Sequence, residues 1–170
     1  AVQNPKVGLG YGKLGMPDGQ QGTFQFSFFE TGTTTAVTLS ALSFSVLDLD
    51  SYQDPMNDPA PPFETLYVDT ALINTGGTLA LAPGFGVDYG SNLLDTKAAG
   101  DTSAWDYKFK SDENLAQIAN PTDPNLLTQE QLNSSILLEM QNVSEFSLRF
   151  AQKGGQTGRN FFFAGTAQIP

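Results

Sequence analysis

Apolar and polar residues alternate with a period of two along most of this chain. Phe24, Phe26 and Phe28 alternate with Gln25 and Ser27 over 22–30, so an extended segment there has one aromatic face and one polar face. Over 33–49, Val37, Leu39 and Ala41 share one parity and Leu42, Phe44 and Val46 the other; this phase slip predicts a β-bulge near Ala41. Shorter alternating runs predict strands over 64–70, 78–82, 85–89, 104–110, 135–140, 144–150 and 160–164. Thr75-Gly76-Gly77 reads as a hairpin turn, and the Asp-Pro and Pro-Pro pairs of 48–62 read as loop.

Only 113–133 carries helical signals. They fall into two short turns, 114–119 and 125–132, the second introduced by Asp123-Pro124. About nine short strands separated by turn signals every 8 to 12 residues or so predict an all-β protein, an antiparallel β-sandwich or jelly roll with one or two short helical turns. Residues 1–21, with Gly8, Gly10, Gly12, Gly15 and Gly19, read as a Gly-rich arm packed on an edge, and 22–170 as a single sandwich domain. Phe24, Phe26, Phe28, Phe44, Val46, Trp105, Phe109, Phe146, Leu148 and Phe162 are the expected core.

Composition narrows the chemistry. The 170 residues contain no Cys and no His, which removes thiolate and imidazole catalysis, Cys/His metal ligation and disulfides. Eighteen acids against eight bases leave a net charge of −10, which repels nucleic acid and anionic membranes. The stretch 30–106 holds eleven acids and the single base Lys97, so it carries the whole net charge. No apolar run reaches the roughly 18 residues of a membrane span. The first residues lack the basic end and apolar core of a signal peptide, and they suit the new terminus left by removal of one. Asn-x-Ser triplets at Asn133 and Asn142 would suit a secreted or cell-surface chain.

The densest chemistry lies over 47–58. Asp48 and Asp50 share one face of a strand end about 7 Å apart, and Asp54 and Asp58 follow in the loop. Calcium takes six to eight oxygens or so, and converging loop carboxylates supply them, which makes these four aspartates a candidate calcium site; the plainer reading is that they cap backbone amides in turns. The pattern is no EF-hand, since Tyr52 and Gln53 break the spacing of acidic oxygens. Asp48, Asp50 and Glu64 are also the one set suited to a carboxylate-pair glycosidase. Trp105, Tyr107 and Tyr52 are candidate glycan contacts, because aromatic faces pack on sugar rings, although strict alternation also suits Trp105 and Tyr107 to a core face. The Gly-rich run 8–13 fails the spacing of a phosphate loop, as Val7 stands where glycine is required.

Phe44-Ser45-Val46-Leu47-Asp48-Leu49-Asp50 and Gly158-Arg159-Asn160-Phe161-Phe162-Phe163-Ala164-Gly165 together resemble a β-sandwich domain of surface and secreted proteins of marine algae and some bacteria. In that domain an F-x-x-x-D-x-D strand end precedes an acidic loop, and a G-R-N-F-x-F-x-G strand closes the fold. Leu47 departs from the pattern, which favours an aromatic there. The resemblance implies a modular extracellular or assembly role and singles out Asp48, Asp50, Arg159 and Asn160. Arg149 and Arg159 are the only arginines, and a pair from Arg159 to Asp48 or Asp50 would compete with calcium for the same oxygens.

The expectation is therefore a non-enzymatic structural or adhesive module of a surface or extracellular assembly, with calcium as candidate cofactor and glycans or other protein chains as partners. The alternatives are a self-assembling shell, sheath or filament subunit that forms homo-oligomers, and a small glycosidase or lyase working through acidic residues.

Overall fold

The computed structural model describes residues 11–17, 19–50, 63–73, 86–89, 93–95, 107–111, 119–123, 125–153 and 159–168. These form ten strands and one short helix: β1 (Tyr11–Met16), β2 (Gln21–Ser27), β3 (Leu39–Leu47), β4 (Phe63–Ile73), β5 (Gly86–Tyr89), β6 (Leu93–Asp95), β7 (Tyr107–Ser111), α1 (Gln129–Asn133), β8 (Ile136–Val143), β9 (Glu145–Lys153) and β10 (Arg159–Gln168). Two five-stranded sheets result, ordered β1-β10-β3-β8-β5 (sheet A) and β2-β9-β4-β7-β6 (sheet B). Every pairing within them is antiparallel.

Consecutive strands alternate between the sheets except at β6 and β7, which pair with each other, and the early strands pair with the late ones. That is the order of a long hairpin rolled onto itself, the jelly-roll variant of the sandwich. Residues 11–16 of the Gly-rich arm run as the edge strand β1, and Leu14 and Met16 reach the core.

The alternation of the sequence becomes the two faces of each sheet. Phe44, Val46, Leu66, Val68, Phe109, Leu138, Phe146, Leu148, Phe150 and Phe161 fill the space between the sheets. At its centre Phe26 stacks on Phe146, with centroids 4.8 Å apart, while Phe44 meets Phe146 edge-on at 5.0 Å and Phe163 meets Phe26 edge-on at 5.3 Å. Phe24, Phe26 and Phe28 are half-buried, because β2 is an edge strand and the side of the sandwich beside it is open.

Three local expectations change. The phase slip on β3 is no inserted residue, since its ladder with β8 keeps one register from Leu39 opposite Val143 to Val46 opposite Ile136. Instead, Asn142 of β8 adopts a left-handed conformation (φ 52°) where the parity changes. The register shift falls on β4, between Val68 and Ile73 against β9. Phe161, not Phe162, faces the core; Phe162 is buried on the opposite side of β10, with Lys13 Nζ 5.9 Å from its ring.

The helix starts later than Asp123-Pro124. Asp123 forms a turn of its own, accepting the Asn125 N–H at 2.8 Å, while Thr128 and Gln131 make the capping box that opens α1. The hairpin turn at 75–77, the predicted strand over 78–82, all but the last residue of the predicted turn over 114–119, and Trp105 lie outside the described residues.

Two stability outcomes follow from this packing. Phe146→Ala, at the crossing of the aromatic contacts, is expected to cost about 3–5 kcal/mol in urea unfolding. A Cβ at Gly12 would stand 2.2 Å from the Phe163 ring, so Gly12→Ala is expected to lower stability by about 1–3 kcal/mol by displacing that ring.

Candidate functional site

The ends of β3, β4, β7, β9 and β10 coincide at one end of the sandwich. There the inward parity passes from apolar to polar residues. On sheet B the row is Gln152, Glu64 and Ser111, continuing the buried series Phe150, Leu66 and Phe109. On sheet A, Asp48 continues the parity of Phe44 and Val46, and Arg159 that of Phe161. Asp48 takes a left-handed conformation (φ 65°), which a short polar side chain tolerates. The next residue is tied down where Leu49 N–H donates to the Ser134 carbonyl at 2.9 Å.

Asp48 and Asp50 are each 4% exposed and Glu64 is 2% exposed. Arg159 Nη1 lies 3.5 Å from Asp50 Oδ1, the ion pair expected from the sequence. Asp50 N–H donates to Glu64 Oε2 at 3.2 Å. Ser111 ties the same residues through its hydroxyl, which donates to the Asp50 carbonyl at 2.9 Å and accepts the Glu64 N–H at 3.1 Å. Asp48 Oδ1 is buried and has no hydrogen-bond partner among the described residues.

Three carboxyls beside one guanidinium cannot all stay charged out of water. Burial first, and then the charge of Asp50, push Asp48 up to about 8, with Arg159 pulling the other way. Burial, again followed by Asp50, holds Glu64 well above the usual carboxylate range, while Arg159 and the Asp50 N–H oppose the shift. Beside the ion pair of Asp50 and Arg159, the Asp48 and Glu64 carboxyls are thus both shifted toward their protonated forms.

Among the candidate calcium ligands, Asp48 and Asp50 come together, and Asp54 and Asp58 lie outside the described residues. No group of three acidic residues placed to hold a metal ion occurs among the described residues. Asp48, Asp50 and Glu64, the set suited to glycosidase chemistry, do share one site. Of the glycan candidates, Tyr107 turns inward and stacks on Phe109 at 5.8 Å, while Trp105 and Tyr52 lie outside the described residues. Asn133 is half-buried and its Oδ1 accepts from Gln129 Nε2, whereas Asn142 is exposed. Ser111 could not be singled out from sequence, because its only signal is being the third inward position after Tyr107 and Phe109.

No family model matches the chain, and neither curated proteins nor solved structures give a match. No helix among the described residues is long and apolar enough to cross a membrane.

The raised carboxyls set a pH dependence. The native state holds protons that the unfolded chain releases above pH 4 or so, so the contribution of these two groups is greatest in acid and is lost as pH rises, through about 8 for Asp48 and above the usual carboxylate range for Glu64. Each can contribute a slope of up to about 1.4 kcal/mol per pH unit. Urea unfolding at pH 5, 7 and 9 is expected to show the wild-type protein losing more stability with rising pH than a chain carrying Asp48→Asn and Glu64→Gln; parallel profiles would mean that both carboxyls are ionised in the native state. Arg159→Met, which leaves Asp50 without its countercharge, is expected to cost about 1–3 kcal/mol at pH 7, between the values for exposed and for buried pairs.

Proposed function

We propose that the chain is a non-enzymatic structural or adhesive β-sandwich module of a surface or extracellular assembly. The observation that carries this reading is the sealing of its densest chemistry. Asp48, Asp50 and Glu64 sit between the sheets at 2–4% exposure, where the Asp50 carboxylate meets the Arg159 guanidinium, the Glu64 carboxyl accepts the Asp50 N–H, and the Ser111 hydroxyl ties the backbones of Asp50 and Glu64. A carboxylate pair that cleaves glycosides must reach both a substrate bond and water. Carboxyls held in this way instead join the two sheets at one end, which suits a part whose work is to keep its shape. The resemblance carried by Phe44–Asp50 and Gly158–Gly165 points the same way, and calcium binding through Asp48, Asp50, Asp54 and Asp58, which the proposal retains, requires Arg159 to leave Asp50 and Asp48 to release its proton.

A second reading, a self-assembling subunit, draws on the open side of the sandwich. β1 and β2 are edge strands of the two sheets, the half-buried Phe24, Phe26 and Phe28 lie beside them, and Phe29 is 54% exposed. Native mass measurements over a hundredfold range of concentration, with calcium and with chelator, separate the two. A module is expected to stay monomeric throughout, with a mass increment for bound calcium; masses that climb with concentration would favour the subunit. A mass unchanged by calcium would remove the metal from the proposal.

A further inference from the structure

Among the described residues, β2 is the one edge strand whose sequence carries no charge. Sheet A ends on β1 and β5, and sheet B on β2 and β6. Lys13 stands on β1, Asp88 on β5 and Asp95 on β6, and such charges discourage pairing with another chain, whereas Gln21-Gly22-Thr23-Phe24-Gln25-Phe26-Ser27 has neither a charge nor a proline. The ladder with β9 shows which backbone groups of β2 face outward. Gln152 N–H donates to the Gln20 carbonyl at 3.0 Å and Phe28 N–H to the Ser144 carbonyl at 3.2 Å, so in this unbroken register the even positions turn their amides and carbonyls to β9. Gln21, Thr23, Gln25 and Ser27 direct theirs away from it. Beyond Ser27 the same edge is taken by the chain itself, since Val37 N–H donates to the Phe28 carbonyl at 2.9 Å and Glu30 N–H to that of Thr35 at 3.0 Å. The edge that no described residue pairs with is therefore seven residues long, with Phe24 at its middle.

We propose that β2 is an interface for a second copy of this chain, paired antiparallel about a two-fold axis at Phe24 so that sheet B runs on through both molecules. In that register Gln21 meets the partner's Ser27 and Thr23 the partner's Gln25, and each pair exchanges two N–H···O bonds, which uses every outward amide and carbonyl of the strand. The side chains fit a copy of the same strand. On the inward side Phe24 faces its own counterpart and Gly22 the partner's Phe26, so the half-buried aromatic rows of the two cores become continuous. On the outward side only Gln, Thr and Ser meet. Charge sets the direction, because Arg149, hydrogen-bonded to Gln21, stands behind the first half of β2, and Glu145, hydrogen-bonded to Gln25, stands behind the second. Antiparallel pairing brings each positive end beside the partner's negative one, whereas parallel pairing would set like against like. The contact is isologous and closes at two chains, so the pair is the first step of any larger assembly.

This inference rests on the second reading, the self-assembling subunit, and names the contact and the partner for it. The chain has no cysteine, so an introduced thiol reports on one position. Thr23→Cys chains mixed with Gln25→Cys chains are expected to form disulfide-linked pairs under mild oxidation, because the Cα atoms of a hydrogen-bonded pair stand about 5.5 Å apart. Neither is expected to link by itself, since like positions are diagonal neighbours about 7–8 Å apart. Sedimentation equilibrium of the intact chain is expected to show monomer passing to dimer as concentration rises. Gln25→Pro removes an N–H that β9 does not use, and Thr23→Glu with Gln25→Glu sets like charges opposite each other in both central pairs; each is expected to weaken the dimer about tenfold or more. The acidic variant leaves the backbone of β2 intact, so it answers even if the proline disturbs the strand. Chains that stay monomeric at every concentration would overturn this inference and the second reading together, and would leave β2 to a strand from another protein. Assembly that both variants leave unchanged, or disulfides formed as readily by either thiol alone as by the mixture, would overturn this inference and leave that reading standing.

Discussion

A charge taken out of water must meet its countercharge where it is buried, and one end of this sandwich is organised around that requirement. Asp50 reaches Arg159 across the closing ends of β3 and β10, and burial pushes the remaining acids beside it, Asp48 and Glu64, toward their protonated forms. This fixes more than electrostatics. Glu64 and Ser111 can hold the Asp50 backbone only if β4 and β7 end at the same level as β3, so the register of sheet B is coupled to that of sheet A through a handful of polar atoms. Apolar packing alone would tolerate sliding of the sheets more readily than this directional set does.

How far the fold could be read in advance depended on whether a residue's signal was local. β2 and β9 announce themselves because Phe24-Gln25-Phe26 and Phe146-Ser147-Leu148 alternate within a few residues, and the two then pair in that register. β6 has three residues and no alternation long enough to notice. The helix moved because Asp123 and Thr128 are both good starting residues, and only the reciprocal bond between Thr128 and Gln131 decides between them. Among three successive phenylalanines at 161–163, periodicity cannot tell whether Phe162 or its two neighbours face inward; pairing of Leu14 with Phe161 on the neighbouring strand settles it for Phe161 and Phe163.

The site was legible to a similar depth. Asp48, Asp50 and Arg159 could be brought together on charge scarcity alone, since a chain with two arginines has few ways to neutralise buried aspartate. Sequence could not show that Glu64, fourteen positions beyond Asp50, would be held under it by a backbone amide, nor that the acids would be sealed instead of open to solvent.

Rolling a long hairpin onto itself has a consequence for the way such a chain is made. In sheet A, β1 has β10 as its one neighbour, and β3 sits between β10 and β8. While the ribosome is still delivering the middle of the chain, β1 has no strand to pair with in its own sheet and β3 lacks both of its partners. Long-range pairing of this kind is slow to form, and unpaired strand edges invite contact with other nascent chains. The first described strand is thus completed by the last one, and sheet A closes only once residues 159–168 are in place.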